Sequence, residues 1–450
     1  MESRFDLVVL GTGAAATTVA STCREAGWQV AIVDSLPFGG TCALRGCDPK
    51  KVLVGAAESL DWARRMEGKG FQGDGLRLDW RELMRFKRTF TDPVPKSREQ
   101  AFAEAGITAF HGRAHFAGRT SIEINQQVLT SHHVLIATGA KPRKLNIPGE
   151  QYVTTSDQFL DVDSLPQRIL FIGGGYISME FAHLSLRADR SVTILHRGKR
   201  LLEGFDPELV KQLSDKTQHL GAAIHLQSEV KAIDKNDRGL KVHALVAGTE
   251  KTFKADLVVH GAGRVPDIED LNLTAAEVEG GNRGIKVNDY LQSTSNPAVY
   301  AAGDAAARGG PPLTPVAGYE GRIVAANLLE GTHLKTNYLG VPTVAFTTPP
   351  VASVGLSEQS ARERGLKFRT HHDTTNSWYS SRRVAEDCSG FKVLIEDDTD
   401  RILGAHLLGP HAEEVINLFA FAIATNARAA DLRDRIFAYP TVASDIRYML

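Results

Sequence analysis

The sequence predicts an α/β protein in which a unit of strand, glycine turn, helix and strand occurs twice. Two observations support this fold class. The chain has 450 residues, more than one hydrophobic core normally holds, so we expect about two to four domains. At residues 5–16 and again at residues 168–178, a short apolar segment runs into a glycine-rich turn and then into a helical pattern. Such alternation is typical of a parallel sheet covered by helices.

The composition excludes several classes of protein. Hydrophobic residues make up 42% and charged residues 23% of the chain, as in ordinary soluble globular proteins. The 52 basic and 53 acidic side chains nearly balance, so we expect neither nucleic acid nor a membrane as partner. The apolar run at residues 7–10 is too short for a signal peptide, and no run approaches the ~20 residues of a membrane span. Four cysteines are too few for a secreted disulfide framework, so we expect a cytoplasmic protein.

The first unit has the order of a dinucleotide-binding site. It consists of a strand at residues 5–10, a glycine turn at 11–16, a helix at 17–26 and a strand at 29–33 that leads to Asp34. Gly11 permits the tight turn, and Gly13 lets a pyrophosphate approach the backbone at the helix N-terminus. Ala16 allows the helix to pack closely on the strand. Asp34 is placed to accept hydrogen bonds from a ribose.

The second unit repeats this order with a different ending. A strand at residues 168–172 is followed by the turn 173–175, a helix from Tyr176 and a strand at 191–195. The second strand ends in a basic stretch with Arg197 and Arg200 rather than in an acid. Because arginine suits a 2′-phosphate, we expect NADPH here and NADH less readily. The alternative is a solvated basic loop. The candidate nucleotide-binding residues are Gly173, Gly175, Tyr176, Ile177, Arg197, Arg200 and Gly263.

Two cysteines, Cys42 and Cys47, follow the first unit directly. Their spacing on a regular helix would splay the side chains, but a distorted turn that contains Gly46 can bring the sulfurs together. A helix N-terminus also stabilises a thiolate. Two buried cysteines or half a metal site are the alternatives. Since Cys23 and Cys388 lie in unrelated segments, we favour a redox pair and expect no metal site.

With these motifs the chain resembles the class I pyridine nucleotide-disulfide oxidoreductases, the family of glutathione reductase, dihydrolipoamide dehydrogenase and mercuric reductase. Further matching segments lie at residues 137–139, 261–267, 299–304, 313–317 and 348–355. The resemblance implies two Rossmann-like dinucleotide-binding domains plus a C-terminal α+β dimerisation domain, and a homodimer. The implied division is an FAD-binding domain at residues 1–147 and 266–338, an NAD(P)H-binding domain at 148–265 and an interface domain at 339–450. In the last, strands are expected within residues 344–355 and 390–408 and an interface helix at 411–424.

The resemblance also implies roles for individual residues. The FAD-binding candidates are Gly11, Gly13, Ala16, Asp34, Gly40, Thr41, Lys50, Thr138, Gly139, Arg264, Asp304 and Thr314. Asp304 would bond the ribityl chain, and the Thr314 region would present a helix start to the O2 edge of the flavin. Lys50 would lie near flavin N5 and pair with Glu180. Tyr176 would cover the flavin until the nicotinamide displaces it.

Within the cysteine pair, the family pattern implies a division of labour. Cys47 would form the charge-transfer and covalent contact with the flavin, and Cys42 would attack the substrate.

The sequence departs from this family at the residues that would contact the electron acceptor. Tyr439 and Ser444 stand where disulfide reductases carry the histidine and glutamate of a His-Pro-Thr-x-x-Glu motif. A phenol donates a proton but is poorly suited to take one back at neutral pH. Ser21 replaces an arginine that holds glutathione in glutathione reductases, and Asp48-Pro-Lys50 stands where the commoner run after the second cysteine is x-Pro-Ser/Thr-Lys. These departures argue against glutathione and against dihydrolipoamide dehydrogenation.

We therefore expect an NADPH-dependent reductase whose dithiol reduces a small-molecule acceptor. One alternative is a mercuric or other metal-ion reductase, which resembles this chain in the tyrosine but usually carries a C-terminal cysteine pair that is not found before Leu450. A second is an NAD(P)H oxidase or quinone diaphorase in which electrons leave the flavin without the dithiol. A non-enzymatic redox sensor is the least favoured.

Overall fold

Strands and helices alternate along the chain in a computed structural model, which describes residues 3–72 and 75–450, and the predicted α/β fold class is confirmed. The strands of the described residues are β1 (Ser3–Leu10), β2 (Val30–Asp34), β3 (Thr108–His111), β4 (Ala114–Phe116), β5 (Ser121–Ile124), β6 (Gln127–Ile136), β7 (Ala140–Pro142), β8 (Arg168–Ile172), β9 (Ser191–Leu195), β10 (Ala223–His225), β11 (Ser228–Asn236), β12 (Gly239–Val246), β13 (Thr249–Ala255), β14 (Leu257–His260), β15 (Arg264–Pro266), β16 (Gly280–Gly281), β17 (Gly284–Lys286), β18 (Val299–Ala301), β19 (Ala306–Ala307), β20 (Thr343–Ala345), β21 (Val351–Gly355), β22 (Phe368–Thr374), β23 (Gly390–Glu396) and β24 (Ile402–Leu408).

The helices of the same residues are α1 (Ala14–Glu25), α2 (Gly40–Arg45), α3 (Cys47–Arg65), α4 (Trp80–Thr91), α5 (Val94–Ala105), α6 (Ser156–Phe159), α7 (Tyr176–Arg187), α8 (Pro207–His219), α9 (Thr314–Glu330), α10 (Glu358–Glu363), α11 (Tyr379–Arg382), α12 (Ala412–Ala424), α13 (Ala429–Arg433) and α14 (Ile446–Met449). The first helix begins at Ala14, three residues before the predicted start at residue 17, because the extended Gly13 already serves as its N-cap and alanine favours helix.

The chain divides into two compact units. The first contains the chain up to Lys50, Phe86–Arg143 and Arg264–Tyr338, and the second contains Lys51–Arg85, Lys144–Gly263 and Leu339–Leu450. Each unit therefore combines segments that are distant in sequence.

The first unit is built on a seven-stranded sheet in the order β3-β2-β1-β6-β5-β4, in which β18 also pairs with β6. The strands β3, β2, β1, β6 and β18 are parallel to one another, whereas β5 pairs antiparallel with β6, and β4 pairs antiparallel with β5. Leu7, Val8 and Val9 of β1 are all fully buried, since helices and strands cover both faces. The carboxyl ends of β1, β6 and β18 consequently lie side by side at one edge of the sheet.

The second unit contains three sheets. A four-stranded parallel sheet has the order β10-β9-β8-β14, and β11-β12-β13 form an antiparallel sheet. The third is a five-stranded antiparallel sheet in the order β20-β21-β24-β23-β22. Helix α12 packs its Val415, Ile416 and Phe419 into the core of this last sheet. The strands and helix expected after residue 340 are thus present, with α12 beginning at Ala412.

Candidate active site

The first glycine turn forms an open cradle at the end of β1. Gly11 has a φ of 110°, and a Cβ there would lie 2.3 Å from the carbonyl oxygen of Ala137, so a side chain does not fit. A Cβ on Gly13 would meet no atom within 4 Å, which leaves free space at the N-terminus of α1. Ala16 is fully buried in that helix. The backbone N–H groups of this helix start are therefore accessible to a pyrophosphate.

Asp34 lies at the end of β2 with its carboxylate held in place. The Thr12 hydroxyl donates a hydrogen bond to Asp34 Oδ2 at 2.6 Å, and the Leu36 N–H donates to Oδ1 at 3.0 Å. Gly40 and Thr41 are the first residues of α2, which follows Asp34 shortly afterwards in the chain. Thr12 was not among the predicted site residues. Its position inside the glycine turn was the only signal in the sequence.

The ends of β6 and β18 contribute further polar groups to the same edge of the sheet. Ala302 N–H donates to the Ile136 carbonyl at 3.1 Å, which places Thr138 and Gly139 beside the turn that carries Asp304. Thr138 Oγ1 is buried and has no hydrogen-bond partner among the described residues. Burial raises the pKa of Asp304, against the opposing effect of Arg308 and Arg264. Arg264 itself donates to the Ala140 carbonyl at 2.5 Å.

These groups fit a flavin dinucleotide. An orphaned buried hydroxyl and a desolvated carboxyl are polar groups that a bound ligand satisfies. The cradle of small residues and the fixed carboxylate of Asp34 add space for a pyrophosphate and an acceptor for a ribose.

A buried cluster around Glu320 supports the Asp304 turn and was missed by the sequence reading. Glu320 accepts hydrogen bonds from Gly303 N–H at 2.7 Å and from the Tyr338 hydroxyl at 2.8 Å, and it pairs with the Arg308 guanidinium. Burial raises the pKa of Glu320, although Arg308 opposes the shift. Its partners precede α9 or follow it in the chain, so no local motif indicated the cluster.

Cys42 and Cys47 lie on either side of a break between two helices. Cys42 belongs to α2, which ends at Arg45, and Cys47 is the first residue of α3. A Cβ on Gly46 would lie 3.0 Å from the Thr41 carbonyl oxygen, so glycine accommodates the tight break. The distortion that the sequence predicted at Gly46 is thus present between the two cysteines.

The two thiols differ strongly in acidity. The hydrogen bond from Cys42 lowers the pKa of Cys47 to about 6, with help from Thr314 and Lys50 and against burial. The same hydrogen bond and burial raise the pKa of Cys42. Thr314 Oγ1 lies 3.5 Å from Cys47 Sγ and is the first residue of α9. At neutral pH the reduced pair therefore holds a Cys47 thiolate and a Cys42 thiol.

The second glycine turn reproduces the first in the other unit. A Cβ on Gly173 would lie 2.2 Å from the Gly261 carbonyl oxygen, while a Cβ on Gly175 would meet no atom within 4 Å. Ser178 Oγ is buried without a hydrogen-bond partner in the described part of the chain. Gly263 follows β14 and precedes Arg264. The turn thus has the space and the unsatisfied polar group that a nicotinamide nucleotide fits.

The two predicted arginines of the loop after β9 differ in their surroundings. Arg197 is exposed. Arg200 donates hydrogen bonds to the carbonyls of Phe205 at 2.9 Å and Glu203 at 2.6 Å. Its guanidinium is therefore bonded to the backbone of its own loop. His196 Nε2 and the Glu203 carboxylate lie 3.6 Å apart in the same loop.

The residues expected at the nicotinamide lie on α7. Tyr176 is its first residue and is partly exposed, and Ile177 is the second. Glu180 is buried one turn later and accepts a hydrogen bond from Phe346 N–H at 2.8 Å. Lys50 belongs to the first unit and Glu180 to the second, and their pairing stays a prediction.

Tyr439 lies in the segment after α13 with a side chain that is 81% exposed. Ile436, nearby in the chain, is fully exposed, and Phe421 on α12 is 70% exposed.

Residues 3–72 and 75–450 lack two other kinds of feature. These residues contain no group of three or more histidine, cysteine or acidic side chains that could hold a metal ion. None of the helices described is both long and apolar enough to cross a membrane.

Comparison with known families gives two matches that together span almost the whole chain. Residues 5–321 match the family described as pyridine nucleotide-disulphide oxidoreductase. Residues 341–450 match the dimerisation domain of pyridine nucleotide-disulphide oxidoreductases.

Individual relatives agree with these matches. The chain is 33% identical to a glutathione reductase of Burkholderia cepacia, over 98% of this chain and 97% of the relative. It is 32% identical to a mercuric reductase of Staphylococcus aureus, over 98% of this chain and 81% of the relative. Among solved structures, the Cu(II) complex of the HOCl-induced flavoprotein disulfide reductase RclA from Escherichia coli matches with a TM-score of 0.89 and 26% identity, over 99% of both chains.

Proposed function

Because the chain belongs to the pyridine nucleotide-disulphide oxidoreductase family, we propose that it passes electron pairs from NADPH through FAD to the Cys42–Cys47 pair and on to a small-molecule acceptor. The family membership establishes a flavoenzyme that uses FAD and NAD(P)H. The observation that carries the proposal is the position of Cys42 and Cys47 on either side of the break at Gly46, where Thr314 Oγ1 lies 3.5 Å from Cys47 Sγ. In such a pair Cys47 can exchange electrons with the flavin, and Cys42 can attack the acceptor.

The residues of the first unit perform the sulfur chemistry. When bound, FAD accepts a hydride from the nicotinamide and delivers electrons to sulfur. The Cys42 thiol, the Thr314 hydroxyl and the Lys50 ammonium together hold the Cys47 sulfur as a thiolate. Cys42 keeps its proton until an acceptor arrives and then attacks it as the exchanging sulfur. Asp34, Asp304 and the two glycine turns bind and orient the dinucleotides.

A disulfide is the first candidate for the acceptor. Thiol–disulfide exchange needs only the two cysteines and proton transfers. Ordinary glutathione disulfide is disfavoured, because Ser21 offers no cation for its carboxylates.

A thiophilic metal ion is the second candidate, suggested by the mercuric reductase and the Cu(II) complex among the similar proteins. It ranks lower because the described residues contain no group of three or more histidine, cysteine or acidic side chains arranged to hold a metal ion.

The nucleotide is NADPH in this proposal. Arg197 is exposed at the end of β9, where a guanidinium can bind a 2′-phosphate. Arg200 contributes indirectly by holding the loop through its bonds to Phe205 and Glu203. The Glu203 carboxylate lies in the same loop and repels a phosphate, so the preference over NADH is moderate.

The assembly in this proposal is a homodimer formed through residues 339–450. The matched dimerisation domain and the exposed apolar side chains of Phe421 and Ile436 support it. Residues 1–147 with 266–338 form the FAD-binding domain and 148–265 the NADPH-binding domain. The enzyme works in the cytoplasm, where NADPH keeps thiols reduced.

An NADPH-oxidation screen over disulfides, metal ions, quinones and oxygen tests this function when it is run with the parent enzyme, Cys42→Ser and the control Cys388→Ala. Cys388 is a buried cysteine of the second unit. We expect turnover with at least one disulfide in the parent and in Cys388→Ala, and none in Cys42→Ser. Full turnover in Cys42→Ser indicates a diaphorase or oxidase instead. No NADPH oxidation with any acceptor indicates a redox sensor.

A further inference from the structure

We propose that Asp48 is the base that takes the proton from Cys42 when this thiol attacks the electron acceptor. The inference rests on the proposed function and assigns a role to the side chain that directly follows Cys47. It applies to disulfide acceptors.

The geometry brings the two side chains together at the helix break. Asp48 is the second residue of α3, and Cys42 Sγ donates a hydrogen bond to Asp48 Oδ1 at 3.8 Å. The carboxylate is exposed, so a proton that it accepts can exchange with water. Asp48 is therefore a charged acceptor already in contact with the proton to be moved.

The other partners of Cys42 are unsuited to this task. Thr314 is a neutral hydroxyl, and Cys47 is the thiolate of the pair. If Cys47 took the proton, the pair would lose the thiolate that must attack in the following step. A separate base leaves Cys47 ionised. Lys50, the cation that lowers the pKa of Cys47, cannot accept a proton.

The charge of Asp48 also opposes the ionisation of its neighbours. It raises the pKa of both Cys42 and Cys47. A carboxylate that served only as a charge would thus make Cys42 a poorer nucleophile at neutral pH. Replacing Asp48 by a neutral residue should therefore speed the acceptor step if the carboxylate acts only as a charge, and slow it if the carboxylate acts as the base.

The proposed step balances in atoms and electrons. Cys42 gives its proton to Asp48, its sulfur bonds to one sulfur of the acceptor, the acceptor S–S bond breaks, and the leaving thiolate takes the proton from Asp48. The Cys47 thiolate then attacks Cys42 Sγ, closes the Cys42–Cys47 disulfide and expels the second thiolate, which takes a proton from water. The cysteine pair is oxidised by two electrons, and the acceptor is reduced by two.

Asp48→Asn in the FAD-loaded enzyme tests the assignment, since the amide keeps the shape of the side chain but cannot take a proton. Stopped-flow reduction of bis(2-hydroxyethyl) disulfide, an uncharged acceptor, measures the acceptor step after reduction by NADPH. Alkylation of Cys42 by iodoacetamide over a pH series measures its ionisation. We expect the alkylation midpoint to move to lower pH and the acceptor step at pH 7 to slow by about 100-fold.

The controls separate the possible outcomes. Asp289→Asn removes an exposed carboxylate that pairs with Lys335, and it should leave both measurements unchanged. Asp48→Glu should restore most of the rate, and added acetate should accelerate Asp48→Ala. An acceptor step in Asp48→Asn that equals or exceeds the parent rate overturns the assignment, and so does a failure of acetate to accelerate Asp48→Ala. Cys42→Ser separates failure of the Asp48 assignment from failure of the proposed function. Continued turnover in this variant would refute the proposed function itself.

Discussion

The buried carboxylate of Glu320 accepts a hydrogen bond from the Gly303 N–H at 2.7 Å and so ties α9 to the turn that carries Asp304. The same carboxylate pairs with Arg308, whose side chain is also buried. Breaking a buried ion pair leaves an uncompensated charge, which is strongly destabilising.

Glu320→Gln should therefore lower the free energy of unfolding by about 3 kcal/mol and weaken FAD retention. Denaturant unfolding and the flavin content after dialysis measure the two effects. The matched control is Glu330→Gln at the end of the same helix, where the carboxylate is exposed and pairs with His333. Equal stability and flavin content in the two variants would show that the Glu320 cluster does not support the site.

The acidity of Cys47 predicts a pH dependence of the reduced enzyme. Its pKa is lowered to about 6, so the thiolate is present above that pH and is lost as the pH falls through it. The long-wavelength absorbance of a thiolate lying against oxidised flavin should follow a one-proton transition near pH 6. Anaerobic spectra between about pH 5 and 8 measure it. A midpoint near the ~8.5 of a free thiol would contradict the electrostatic role of Thr314 and Lys50.

The choice of nucleotide should depend on Arg197. Arg197→Ala should lower kcat/KM for NADPH by about 10- to 100-fold and leave kcat/KM for NADH almost unchanged, because only NADPH carries the 2′-phosphate. Lys199→Ala, an exposed cation of the same loop, is the matched control. Equal losses with the two nucleotides would show that Arg197 acts on the fold of the loop.

Tyr439 should act on one half-reaction only. We expect its exposed hydroxyl to reach the Cys42 side of the site in the second copy of a homodimer and to donate a hydrogen bond to the acceptor there. Tyr439→Phe should slow acceptor reduction by about 100-fold and leave flavin reduction by NADPH unchanged in stopped-flow experiments. Tyr448→Phe, another exposed phenol near the C-terminus, serves as control. Unchanged rates in both half-reactions would make Tyr439 a packing residue.

The parts of the fold that the sequence predicted are those specified by local patterns. The turns at Gly11 and Gly173 are recognisable because only glycine fits where the backbone approaches Ala137 and Gly261. The cysteine spacing and Gly46 likewise predicted a helix break that the structure contains.

The contacts that the sequence did not reveal join residues that no periodic pattern connects. Glu320, Arg308 and Tyr338 meet only because α9 passes beside the Asp304 turn. The hydrogen bond between Cys42 and Asp48 depends on the angle between α2 and α3, which the spacing of the residues in the sequence does not define. The antiparallel sheet β11-β12-β13 also went unpredicted, since polar residues occupy much of its exposed face.

The central claim is that electrons from NADPH reach the Cys42–Cys47 pair through FAD. Anaerobic addition of one equivalent of NADPH to the oxidised enzyme, followed by spectroscopy and by mass-spectrometric mapping of alkylated cysteines, tests it most directly. The account predicts a broad long-wavelength band together with newly alkylated Cys42, and no such band in Cys47→Ser. A band that persists in Cys47→Ser, or NADPH consumption that leaves both cysteines closed to alkylation, would contradict it.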